Sequence, residues 1–122
     1  MGMTIAIVGS RTFNDYGLLE RYMDTVCKGR DFTAVVSGGA RGADSLGARW
    51  AMERGLELIE FKADWKKYGR SAGFRRNHDI INTCDECVAF WDGQSHGTKH
   101  DIDLCNEQDK KVHICYFRPE TA

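Results

Sequence analysis

The chain has 122 residues, 42% hydrophobic and 29% charged, with 17 basic against 18 acidic side chains and a formal net charge of −1. That length supports one globular domain with a sizeable core and excludes separate catalytic and substrate domains. The near-neutral balance gives no global positive field to recruit nucleic acid, and no apolar run approaches the roughly 18 residues of a membrane span. Met1-Gly2-Met3-Thr4 leads straight into a strand-like run, so no signal peptide is expected. Five cysteines, an odd number scattered through the chain, suit buried thiols in a reducing cytoplasm better than a disulfide framework.

Strand-like and helix-like segments alternate, with no linker, repeat or low-complexity tract and a single proline, Pro119. Residues 4–8 form a short apolar run closed by Gly9-Ser10-Arg11. Residues 15–27 carry Leu18, Leu19, Tyr22, Met23 and Val26 at helical spacing. A second strand is predicted over 33–37. Its helix follows over 44–54, with Ala43, Leu46, Trp50 and Ala51 directed at the sheet and Gly55 as the stop. A third strand is predicted over 56–61, a loop over 62–72 and a helix over 73–83. The fourth strand reads as 86–91, its helix as 97–105 or slightly beyond, and the last strand as 112–117. Near-continuous apolar strands between helices imply about five mostly parallel strands covered on both faces. With right-handed crossovers, residues 1–122 make a single α/β domain, doubly wound and Rossmann-like.

Such sheets bind ligands beyond the carboxyl ends of their strands, where the winding reverses. Four turns fall there: residues 9–13, 37–44, 64–76 and 91–98. The most informative is Ser37-Gly38-Gly39-Ala40-Arg41-Gly42-Ala43-Asp44. A strand that ends on a helix N-terminus leaves backbone N–H groups unpaired, and the helix dipole adds a preference for negative charge. Gly38, Gly39 and Gly42 let the backbone turn sharply and approach a ligand, and Arg41 supplies a cation. Arg11, Arg75 and Arg76 are expected on the same edge, with Ser10, Ser37, Ser95 and Thr98 as donors. Arginine's planar fork suits phosphate oxygens. These residues predict a pocket for a phosphorylated, nucleotide-like molecule; an ordinary glycine-rich turn is the plain alternative.

Four ordered motifs carry a resemblance over nearly the whole chain. Gly9-Ser10-Arg11, residues 37–44, Gly73-Phe74-Arg75-Arg76-Asn77, and Trp91-Asp92-Gly93-x-Ser95-x-Gly97-Thr98 together resemble the SLOG superfamily. The chain is most similar there to the small YspA/cpYpsA-related proteins, which are common in bacteria and their phages. The superfamily includes the Lonely Guy phosphoribohydrolases, DNA-processing protein A, and sensor domains for ADP-ribose-like signals. The resemblance therefore implies a nucleotide-shaped pocket, no required cofactor, and assembly into dimers or higher oligomers. Phosphate is expected against Gly9 and Gly38–Gly42 with Arg11, Arg41, Arg76 and Asn77, and ribose near Asp92, Ser95 and Thr98. The phosphoribohydrolase pattern Pro-Gly-Gly-x-Gly-Thr-x-x-Glu is kept only at Gly97-Thr98, with Asp101 in place of the glutamate.

Two mechanisms stay open from these residues: a sensor or sequestering protein for an ADP-ribose-like, NAD-like or nucleoside phosphate ligand, and an N-glycosidic hydrolase. For the second, Asp101 would stabilise an oxocarbenium-like transition state or position water, unless it only complements the helix dipole. His96, inside the fourth turn, is a candidate phosphate contact or acid near neutral pH. Asp92 is expected to bond ribose or cap the helix, and Asp44 to bond its own turn. A third possibility, single-stranded DNA binding, rests on Lys62, Lys66, Lys67, Arg70, Arg75 and Arg76 interleaved with Trp65, Tyr68 and Phe74, which equally suit a lid over a small ligand. Cys84-x-x-Cys87 and His96-x-x-x-His100 do not share a metal, because strand 86–91 separates them. Phe13, Trp65, Tyr68 and Trp91 are expected at or near the carboxyl edge, with Phe13 and Trp91 best placed to stack on a base or, equally, to serve as a lid or an oligomer contact.

Overall fold

The computed structural model describes residues 2–119. Five strands alternate with helices: β1 (Met3–Gly9), α1 (Tyr16–Cys27), β2 (Phe32–Ser37), α2 (Ala43–Glu53), β3 (Glu57–Glu60), α3 (Trp65–Tyr68), α4 (Ala72–Thr83), β4 (Glu86–Trp91), α5 (His96–Glu107) and β5 (Lys111–Tyr116). The sheet order is β3-β2-β1-β4-β5, and every pairing is parallel. The chain winds outward from β1 through β2 to β3, then returns to β4 on the other side of β1. The winding reverses between β1 and β4, which is where a doubly wound sheet opens a crevice.

β1 is buried on both faces and shows why its run is apolar throughout. Ile5 and Ile7 join Leu19, Met23, Trp50 and Ala51 under α1 and α2, while Ala6 and Val8 join Ile80, Ile81, Ile102 and Leu104 under α4 and α5. The alternation of side chains along a strand divides one continuous hydrophobic run between two cores. Trp50, expected on the sheet side of its helix, is 2% exposed and donates its indole N–H to Asp24 across the α1–α2 contact (3.0 Å). Four of the five cysteines are buried and Cys27 is half-buried. No helix among the described residues is long and apolar enough to cross a membrane.

The segment 62–72, expected as a loop, is largely helical. Asp64 caps α3 by accepting from the Lys67 N–H (3.1 Å), and a 3₁₀ turn, Gly69–Ser71, runs directly into α4. An Asp at the N-cap satisfies an otherwise orphaned donor, and that local bond is enough to start a turn of helix without any apolar periodicity to advertise it.

Candidate ligand site

The turns after β1 and β4 are bonded to each other at the reversal point. Gly9 has no room for a side chain: a Cβ there would lie 2.4 Å from the Phe90 carbonyl and 2.7 Å from the Ala43 Cβ. Ser10 donates its N–H to Phe90 (3.0 Å), and its hydroxyl lies 2.7 Å from that of Ser95. The Ser10 carbonyl accepts from the Ala43 N–H at the start of α2 (3.3 Å). Gly42 makes that approach possible, with φ +81° and a notional Cβ only 2.5 Å and 2.6 Å from the carbonyls of Ser10 and Arg11. Three backbone segments thus meet in van der Waals contact.

Asp92 builds the turn into α5. One of its carboxylate oxygens accepts from the N–H groups of Gln94 and Ser95 (both 2.8 Å) and from the Ser95 hydroxyl (3.0 Å). Partial burial pushes its pKa up, but these donors outweigh that and hold the carboxyl below its ordinary value. The first intrahelical bonds are made by Leu46 N–H in α2 and Lys99 N–H in α5. The N–H groups of Asp44, Ser45, Gly97 and Thr98 therefore precede the helical ladder, at the positive end of each dipole.

Beside these turns lies a cavity of about 370 Å³. Val8 and Ile80 give it an apolar base, and Trp65 and Phe74, 52% and 51% exposed, form a wall. Three guanidinium groups line it, Arg11, Arg70 and Arg76, against three carboxyl groups, Asp44, Asp92 and Asp101. Arg76 donates to the Gly38 carbonyl (2.8 Å), and Asp44 accepts from the Ala40 N–H (3.3 Å). Burial pushes the Asp44 pKa up to about 6 despite those partners and the nearby Arg76 and Arg11. Asp101 is 4% exposed; burial first, and the neighbouring Asp44 second, push its carboxyl well above the usual range against the pull of Arg76. Asn77 on α4 holds two neighbouring residues of α5: its amide nitrogen donates to Asp101 (3.3 Å) while its oxygen accepts from His100 Nδ1 (3.1 Å).

An adjoining cavity of about 420 Å³ shares Arg11, Ala40, Trp65 and Arg76 with the first and adds Gly38, Gly39, Arg41, Lys62 and Ala63. Four cationic side chains line it, and no acidic one does among the described residues.

The structure gathers most of the sequence-predicted residues. Gly9, Ser10, Arg11, Asp44, Arg76, Asn77, Asp92, Ser95, Gly97, Thr98 and Asp101 line the first cavity, and Gly38, Gly39 and Arg41 the second. Ser37, Gly42 and Gly93 line neither. The Ser37 hydroxyl is fully buried and accepts from the Gly39 N–H (3.3 Å), so it shapes the turn. Gly93 holds the β4–α5 turn at φ +82°. His96 is exposed on the first residue of α5 and lines neither cavity. Arg75 turns away as well, donating to Ser71 and stacking on Tyr68 at 4.3 Å. Phe13 and Trp91 do not face the ligand space. Phe13 is 2% exposed and packs against Phe90 and Phe117, each at 4.8 Å, and Trp91 donates to the Ser95 carbonyl (3.1 Å). The available aromatic faces are those of Trp65 and Phe74. With Arg70 they belong to the segment whose interleaved cations and aromatics suited a DNA groove or a lid over a small ligand, and here they form the cavity wall.

Comparisons with known proteins identify the family. Residues 3–68 match the YspA, cpYpsA-related SLOG family, a span that includes the Gly9–Arg11 turn and the whole Ser37–Asp44 turn. The Gene 61 protein of Mycobacterium phage D29 is 35% identical over 117 residues, covering 90% of each chain. This chain belongs to the YspA, cpYpsA-related SLOG family. Family membership suggests a nucleotide-derived ligand in general terms. The X-ray structure of DNA processing protein A from Streptococcus pneumoniae superposes on 93% of the chain with a TM-score of 0.75 at 16% identity, which is a likeness of fold. The chain spans 50% of that protein's length.

Proposed function

We propose that this SLOG domain binds a nucleotide-derived phosphorylated small molecule, of the ADP-ribose, NAD or nucleoside phosphate class, as a sensor or sequestering protein. The observation that carries this reading is the unequal charge of two joined cavities. The first has aromatic walls and balanced charge, which suits a base and its sugar. The second is lined by Arg11, Arg41, Lys62 and Arg76 and by no carboxyl among the described residues, which suits phosphate. Arg11 and Arg76 line both, so a nucleoside in the first and phosphates in the second span one continuous path.

The test is calorimetric titration with ADP, ADP-ribose, NAD and AMP, with recovery of the ligand afterwards. A sensor or sequestering protein returns the ligand intact. Arg41→Ala is expected to weaken binding by about 1.5–3 kcal/mol, the loss of one charge-assisted hydrogen bond. Unchanged affinity for all four nucleotides in that variant would refute the phosphate assignment.

One observation favours a second reading, an N-glycosidic hydrolase. Asp101 lines the cavity, nearly buried, with its pKa raised so that it holds a proton at higher pH than an ordinary carboxyl. In that reaction water attacks the anomeric carbon and the carbon–nitrogen bond breaks. The departing base takes the proton of Asp101, and the Asp44 carboxylate takes the proton released by water. Asp101→Asn then abolishes release of free base, a loss that chromatography of the reaction mixture reads directly.

A further inference from the structure

The carboxyl groups deepest in the first cavity are not where a phosphate would rest. Asp44 and Asp101 are 7% and 4% exposed, whereas Arg11 and Arg70 are exposed at the rim. Asp92, expected beside the ribose, has one oxygen committed to three donors of its own turn. Among the described residues, the Asp101 carboxyl has the Asn77 amide as its hydrogen-bond partner, through one oxygen, and it faces the cavity. A carboxyl group has acceptor capacity for several donors, so this buried pair has capacity to spare.

Resting on the nucleotide reading above, we infer that Asp44 and Asp101 read the ribose diol of the nucleoside half, and that the phosphates leave toward Arg41 and Lys62. Vicinal hydroxyls are both donors and acceptors, and so match a floor that offers carboxyl oxygens next to the Arg76 guanidinium. An anionic phosphate at that depth would meet two acidic groups, whereas the second cavity is lined by four cations and, among the described residues, no carboxyl. The groups facing Asp101 are Arg76 and Asn77 on α4, Asp44 on α2, Cys87 on β4, and Cys105 one turn along its own helix. Four of these five are neutral or acidic, and a proton retained on Asp101 turns one oxygen into a donor for a sugar oxygen.

The experiment compares ADP with 2′,3′-dideoxy-ADP by calorimetry on the full chain. Wild type is expected to prefer ADP by about tenfold or more, because a site built to bond hydroxyls leaves buried polar groups unpaired against the deoxy analogue. Asp101→Leu is expected to bring that preference below about threefold; wild type is expected to lose ADP affinity at alkaline pH, and Asp101→Asn, which does not ionise, to lack that fall. Equal affinity of wild type for the two nucleotides overturns the diol assignment and leaves the nucleotide site standing. Binding of neither, nor of ADP-ribose, overturns the nucleotide reading itself. The wild-type comparison decides the matter even where a variant fails to fold.

Discussion

Gly42 and Asp44 sit two residues apart and show what this site demands of single residues. A side chain at Gly42 meets two carbonyl oxygens at about 2.5 Å while φ stays in the left-handed region. Gly42→Ala is therefore expected to cost at least about 2 kcal/mol, read from the urea midpoint. Asp44 carries a different penalty. Its pKa is about 6 in the folded chain against an ordinary 3.8, so the folded state holds its proton more tightly than the unfolded state does. The contribution of Asp44 to stability is greatest below about pH 4 and is lost as the pH rises through about 6, amounting to roughly 3 kcal/mol. Asp44→Asn keeps an acceptor for the Ala40 N–H and is expected to flatten this profile when urea midpoints are compared from pH 4 to pH 7. The aromatics separate in the same way. Phe13→Ala should destabilise by about 3–5 kcal/mol as a core truncation. Trp65→Ala should change stability by less than about 0.5 kcal/mol yet weaken nucleotide binding, because its face is exposed at the cavity wall.

The decisive element is the segment from Asp64 to Ala72, which turns a long connection into a structured wall. Asp64 supplies the cap that opens it, so Asp64→Ala is expected to remove about 1 kcal/mol of local stability. Hydrogen exchange should show the loss as faster exchange confined to residues 65–71, with the sheet unchanged. The apolar periodicity that identified α1, α2 and α4 is missing from four residues, Trp-Lys-Lys-Tyr, of which none is buried. The strand turns behave in the opposite way: Gly9, Gly38 and Gly42 were legible as sharp turns, and the structure adds what each avoids touching. Gly38 lies against Arg76 and Asp44, both 2.7 Å from a notional Cβ, so its lack of a side chain is what lets a guanidinium from α4 reach the β2 turn.

For the whole molecule, 17 basic and 18 acidic residues leave no long cationic track. The cations that matter are concentrated where two cavities join, a scale that fits a small ligand. Raising salt from 50 to 200 mM is expected to change ADP affinity only a few-fold, far less than the roughly 10³–10⁵ lost by a protein that neutralises 6–10 nucleic acid phosphates. A steep loss for a single-stranded oligonucleotide, with no nucleotide binding, would move the function to nucleic acid.

The amino-acid sequence by itself determined the alternation of strands and helices, the doubly wound sheet, and the edge on which Gly9, Gly38, Arg76 and Asp101 would assemble. These follow from hydrophobic periodicity and from backbone positions only glycine tolerates, which are properties of neighbours in the chain. Only the tertiary structure decided that Phe13 is core and that Asp44 and Asp101 lie deep beside one guanidinium. Those outcomes depend on which segments pack against each other after the sheet has formed, and a side chain's partner across 20 or more residues leaves no periodic trace in the sequence.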